Sequence, residues 1–148
     1  MKRIELIIFD VNQTMFSLKK IEKEFEKLGL SHLLCDIWFN SVLREGFALN
    51  KIRKFIPFKN IGISLLNSIL AKNKVQNSEK ISKKIIENFY ELKPVEGLEK
   101  SMKLLNILKA RMTTLTNGNK HTTLKLLSKN NLKKYIAKTF SVDDVKSW

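Results

Sequence analysis

Ile4-Glu5-Leu6-Ile7-Ile8-Phe9-Asp10-Val11-Asn12-Gln13-Thr14 is the stretch whose reading decides the fold. Residues 4–9 alternate poorly and read as one apolar run, the pattern of a strand buried on both faces in a parallel sheet. The run stops abruptly at Asp10, and polar residues follow. A second β-rich run, Met112-Thr113-Thr114-Leu115-Thr116, ends in the turn signal Asn117-Gly118. Phe140-Ser141-Val142 reads as a third short strand.

Between the first two runs the pattern is helical. Ile21, Phe25 and Leu28 share one face, and Gly29 ends that helix. Ser31 caps the next, which carries Leu34, Ile37, Trp38, Ser41 and Val42 and ends near Gly46. After Pro57, a third helix presents Ile61, Leu65, Leu66 and Ile69. Asn77-Ser78-Glu79 opens a fourth, with Ile81, Ile85, Ile86 and Phe89 inward. Pro94 marks a boundary, and Gly97 to Lys109 reads as a helix carrying Leu98, Met102, Leu105 and Leu108. Another helix runs from Lys120 to Lys129. The order strand, helical insert, helix, strand, helix, strand predicts an α/β fold. It has a Rossmann-like parallel-sheet core of about three strands, joined by right-handed crossovers. The insert is too long for a loop, so it is expected to form a helical domain of its own. The expected boundaries are 1–16 and 93–148 for the core and 17–92 for the helical cap.

The chain has 148 residues, 43% hydrophobic and 28% charged, an ordinary globular balance that excludes a disordered or fibrous chain. Cys35 is the only cysteine, so neither a disulfide nor a cysteine-based zinc site forms within one chain, and a reducing cytoplasm is expected. Cys35 itself reads as a small buried apolar residue. The positive pair Lys2-Arg3 precedes too short an apolar run for a signal peptide, and no apolar stretch is long enough to span a membrane. The formal charge of +14 raises a nucleic-acid partner. The charge is nearly all lysine, however, spread over helical faces, and only four arginines are present. Nucleic-acid readers favour the arginine fork, and no zinc-finger, zipper or RNA-binding motif appears. A Lys/Asn/Ile-rich composition accounts for the charge without such a partner.

In an open parallel sheet, ligands bind at the carboxyl ends of the strands. Asp10 closes the first strand and Thr116-Asn117-Gly118 closes the second, and these ends are adjacent in the predicted sheet. A carboxylate faced by a hydroxyl and an amide suits a nucleophile with an anion-holding partner. The helix start at Asn119 and Lys120 adds backbone donors. His121 reads as an exposed helix-start residue. Trp38, Phe47, Phe55 and Phe58 read mainly as packing of the insert's helices.

Three motifs in order then carry a family resemblance. Ile7 to Met15 resembles the first motif of the haloacid dehalogenase superfamily, Leu115-Thr116-Asn117-Gly118-Asn119 its second, and Phe140 to Val145 the approach to its third. The insert, and Trp38 to Phe58 within it, resembles the cap of the 2-haloacid dehalogenase branch. The resemblance implies a hydrolase with Asp10 as nucleophile, attacking C2 of a small anionic substrate and forming an aspartyl ester that water hydrolyses. It implies that Thr14 holds the nucleophile's loop and that Thr116 and Asn117 bind substrate or steer the attack. Val11, Asn12, Trp38, Phe39, Arg44, Gly118 and Asn119 complete the expected substrate site.

The chain departs from that pattern in three places. Asn12 stands where the superfamily's phosphatases carry a second Asp, and an amide cannot act as general acid or base. Phosphatase chemistry is therefore the alternative rather than the first expectation. No cofactor is expected, with Mg²⁺ only in the phosphatase case. Phe39 stands where the dehalogenases have an arginine for the leaving halide, and Arg44 is not on the same helical face. The third-motif lysine and the fourth motif do not occur before Trp148, and Lys146 falls too early to substitute. The expectation is thus a core lacking its C-terminal strands, with impaired turnover. Its first strand would be an open edge that a second copy or a partner chain covers. A non-catalytic fragment or interaction protein is the other alternative.

Overall fold

A computed structural model describes residues 4–148; Met1, Lys2 and Arg3, including the positive pair, lie outside the described residues. Three parallel strands form the sheet: β1 (Leu6–Phe9), β4 (Arg111–Thr116) and β5 (Lys138–Ser141), in the order β1-β4-β5. Leu6 pairs with Arg111 and Phe9 with Thr114, while Thr113 pairs with Lys138 and Thr116 with Ser141. This register brings Asp10, just past β1, level with the end of β4. A second, two-stranded ribbon pairs β2 (Phe16–Ser17) antiparallel with β3 (Lys93–Pro94), tying together the two chain segments that flank the helical insert.

The insert consists of α1 (Lys19–Lys27), α2 (Leu33–Lys51), α3 (Phe58–Lys72) and α4 (Ser78–Glu87), followed by a 3₁₀ turn at Asn88–Glu91. In α1, Ile21 and Phe25 are four apart and both buried, the spacing of one helical face. The helix ends in paired bonds from Gly29 N–H to the Glu26 carbonyl at 2.9 Å and from Leu30 N–H to the Phe25 carbonyl at 3.0 Å. Gly29 holds φ of 72° there, a conformation that glycine adopts without steric cost. The expected end of α2 near Gly46 is not observed. The helix runs five residues further, and the indole of Trp148 lies against Gly46 where a Cβ would stand. Gly46 is therefore a packing position rather than a stop.

Two helices complete the core: α5 (Leu98–Ile107) and α6 (Lys120–Lys129), with α7 (Val142–Val145) after β5. Leu108, expected within α5, caps it and is exposed, as is Ile37 on α2. The third strand starts two residues earlier than expected and closes at Ser141, because Ser141, its last residue, caps α7 by accepting from the Asp143 N–H at 3.0 Å.

The parallel sheet is covered on one face. Ile7, Phe9, Met112, Thr114 and Thr116 face the core that also holds Met102 of α5 and Leu126 and Leu127 of α6. Leu6, Ile8, Leu115 and Phe140 alternate onto the other face and remain exposed, Leu6 by 48% and Ile8 by 57%. A first strand buried on both faces is therefore not observed. Among the described residues β1 has one strand neighbour, β4, and forms the edge of the sheet. No helix among the described residues is long and apolar enough to cross a membrane.

Candidate active site

The loop after β1 folds back on itself. Met15 and Phe16 both donate their N–H to the Val11 carbonyl, at 2.9 and 3.0 Å, and Gln13 donates to the Phe16 carbonyl at 2.8 Å. Gln13 sits at φ of 66°, the left-handed conformation this tight turn requires. The turn presents Thr14 to Asp10, and the threonine hydroxyl donates to Oδ2 of the carboxylate at 3.0 Å. One carboxylate oxygen is thereby fixed, which orients the other. Val11 points the other way and is buried in the core.

The loop after β4 is held from several directions. Thr116 is buried, and its Oγ1 accepts from the Gly118 N–H at 2.9 Å. The Gly118 carbonyl accepts from the Ser141 hydroxyl at 2.7 Å. Asn119 caps α6 by accepting from the Thr122 N–H at 3.1 Å and donates its amide to Asp143 at 2.7 Å. Lys120 reaches Asp144 at 2.9 Å, and its hydrogen bond and charge hold the Asp144 carboxyl below the usual carboxylate range. A Cβ on Gly118 would stand 3.2 Å from both Asn12 Nδ2 and Thr116 Oγ1, so glycine lets the two loops meet.

Two cavities open at this meeting point. One, of about 310 Å³, is lined by Asp10, Asn12, Gln13, Thr14 and Asn117 from the strand ends and by Phe39, Asn40 and Leu43 from α2. The other, of about 370 Å³, lies between the insert and α6; its apolar walls include Phe58, Ile86, Phe89 and Leu126. Asn12 lines both, and Gly118, Asn119 and His121 line the second.

The predicted residues thus divide. Asp10, Asn12, Thr14, Phe39 and Asn117 share one cleft. Thr116 braces the second loop from beneath. Trp38 departs from the expected substrate site but has its expected packing: it is fully buried among the insert's helices, and its indole N–H donates to the Gly62 carbonyl at 3.0 Å. Arg44 departs as well. Its side chain is 72% exposed and lies beside Glu45, because one helical turn from Phe39 brings Leu43, not Arg44, to the cleft. Sequence reasoning missed Gln13, Asn40 and Leu43, of which Leu43 was recoverable from its four-residue spacing to Phe39. It also missed Ser141 as the clamp on the second loop.

No protein-family model matches the sequence, and no curated protein matches it significantly. Solved structures do match. The L-2-haloacid dehalogenase from Xanthobacter autotrophicus superposes with a TM-score of 0.86 at 16% identity, over 98% of this chain and 59% of its own. The structure of that enzyme with chloropropionic acid covalently bound gives the same values. A further dehalogenase superposes with a TM-score of 0.88 at 15% identity, over all of this chain and 66% of its own. The chain therefore spans less than two thirds of the length of these enzymes, and it has their fold.

Proposed function

We propose that the chain is a hydrolase of the haloacid dehalogenase type, with Asp10 as nucleophile and residues 17–92 as the cap over its site. The observation that carries this reading is the Asp10–Thr14 pair, 3.0 Å apart at the end of β1, in one cleft with Asn117 from the end of the neighbouring strand. In the proposed reaction a carboxylate oxygen of Asp10 attacks C2 of a small 2-haloacid. The carbon–halogen bond breaks and halide leaves with the electron pair. Water then adds to the carbonyl carbon of the aspartyl ester. The ester C–O bond breaks, releasing a 2-hydroxy acid and a proton and regenerating Asp10. Thr14 fixes the attacking group, and the Asn117 amide donates toward the substrate. No cofactor takes part. Asn12, an amide where a phosphatase needs an acid, supports this chemistry over phosphoryl transfer.

Incubation with 2-bromopropionate, followed by mass spectrometry of peptides, tests the reading. The expected result is bromide release with a 1-carboxyethyl ester on the peptide containing Asp10, both lost in Asp10→Asn. An unlabelled peptide, or release that persists in the variant, overturns it.

A second reading is favoured by the uncovered sheet face at Leu6, Ile8, Leu115 and Phe140. On that reading the chain works in association with another copy or chain that covers the sheet.

A further inference from the structure

The nucleophile's cleft is lined mostly by polar side chains, and Asn12 on its wall also lines a second cavity of similar size that no step of the proposed reaction uses. That second cavity has walls from both sides of the molecule: Phe58, Ile86 and Phe89 from the insert and Leu126 from α6. Phe58, Ile86, Phe89 and Leu126 are all buried, so their packing holds the walls in place. Phe58 and Phe89 meet edge to face at 5.5 Å, which makes one wall aromatic. Polar groups gather on its lining at Tyr90, whose ring meets that of His121 at 6.3 Å and lies under the Lys125 ammonium at 4.6 Å. An apolar cavity of about 150 Å³ is enough to hold a benzene ring. This one, at about 370 Å³, has room for a phenyl group and the carbons that link it to a reacting centre. Asn12 lies on the wall of both spaces, and Gly118, which has no side chain, lies against it, so the residues at their shared border are small.

We propose that the substrate acted on at Asp10 carries an aryl-sized apolar group, seated between the insert and α6 while its polar end enters the Asp10 cleft. The substrate class is then an aryl-substituted small acid rather than a two- or three-carbon one. This inference rests on the functional reading above for the role of Asp10, but the cavity's preference is measurable without turnover. Unreactive 3-phenylpropionate and propionate, titrated into the protein and followed by calorimetry and by amide NMR shifts, are the probes. The expected result is an affinity for 3-phenylpropionate at least about tenfold above that for propionate, with shifts at Phe58, Phe89 and Thr122. Leu126→Phe, which narrows the cavity from its floor, and Thr122→Trp, at a half-buried position that leaves the core intact, are each expected to bring the ratio toward one. Equal affinities in the parent chain, or a ratio that both variants leave unchanged, overturn the inference. Asp10→Asn separates the two readings. Aryl preference that survives this variant alongside absent adduct formation in the parent refutes the nucleophile alone. Adduct formation without aryl preference refutes the inference alone.

Discussion

Single side chains show where reading a sequence succeeds and where it stops. Asp10, Asn12, Thr14 and Asn117 were legible because they close strands, and strand ends in a parallel sheet are brought together by register alone. Trp38 and Arg44 misled because a helix turns 100° per residue, so neighbours in sequence face different ways. Trp38 packs inward against Gly62, Phe39 meets the cleft, and Arg44 faces water. Cys35 is the opposite case, a residue read as bland whose burial has a measurable consequence. It is fully buried, and burial, with the nearby charges of Glu22 and Asp36, pushes its thiol from 9.0 up to about 12. The folded state therefore keeps a proton that the unfolded chain loses above pH 9. Stability from this group is complete below pH 9 and falls as pH rises through 9 to 12, by at most about 1.4 kcal/mol per pH unit. Urea unfolding at pH 8 and pH 10.5 is expected to show a steeper alkaline loss in the parent than in Cys35→Ala. Native protein at pH 8 is expected to resist iodoacetamide. Equal alkaline losses in the two proteins contradict the assignment.

Helix existence was legible from periodicity, and so were the ends of α1, α5 and α6 to within two residues, whereas α2 runs past its expected end, and the reason is specific. Only α1 ends on a left-handed glycine, Gly29. The ends of α2, α3, α5 and α6 place Arg53, Lys74, Lys109 and Asn131 at φ between 56° and 57°. Each makes the same pair of bonds that Gly29 makes, such as Lys74 N–H to the Ala71 carbonyl and Val75 N–H to the Leu70 carbonyl, both at 3.0 Å. Lysine and arginine carry no stop signal, so the glycine at 46 drew the expected end of α2 to a place where the helix continues. A side chain in this conformation costs on the order of 1 kcal/mol that glycine avoids. Lys74→Gly is therefore expected to stabilise the fold by about 0.5–1 kcal/mol, part of the gain being offset by the freer unfolded chain. Chemical denaturation of the two proteins under the same conditions measures this, and a destabilised variant contradicts it. The glycine substitution at Gly46 has the opposite logic. Alanine there would improve helix propensity but displace Trp148, whose indole N–H donates to the Ile56 carbonyl at 3.0 Å and whose ring stacks on Phe58.

At the scale of the whole molecule, the parallel sheet has one wet face, which its sequence pattern does not announce. The run from Ile4 to Phe9 has the composition of a strand covered on both sides, and only one side of it is covered. Ile4, just before β1, and Leu6 and Ile8 on it are exposed, Leu115 and Phe140 continue the apolar surface across the sheet, and β1 offers its outer backbone groups along the edge. Partial relief comes from charge: the Lys138 ammonium lies over the Phe140 ring at 4.8 Å, and Arg111 stands opposite Leu6 in the register. That relief sits on β4 and β5, while β1 itself contributes no lysine or arginine between Leu6 and Phe9. An apolar edge without charge pairs with whatever extended or apolar surface meets it. The protein is accordingly expected to associate as its concentration rises, and sedimentation velocity across a dilution series measures the mass. Ile8→Lys places an ammonium in the middle of the edge, on the exposed face, where it disturbs no core contact. It is expected to shift the distribution toward monomer while costing no more than about 1 kcal/mol in unfolding free energy, the span of strand propensities. Salt separates this contact from the surface ion pairs, since burial of Leu6 and Ile8 strengthens in sulfate whereas contacts between charges weaken. A monomer throughout the series, or association that Ile8→Lys leaves untouched, means that this face is tolerated in water and that the sheet does not recruit a partner through β1.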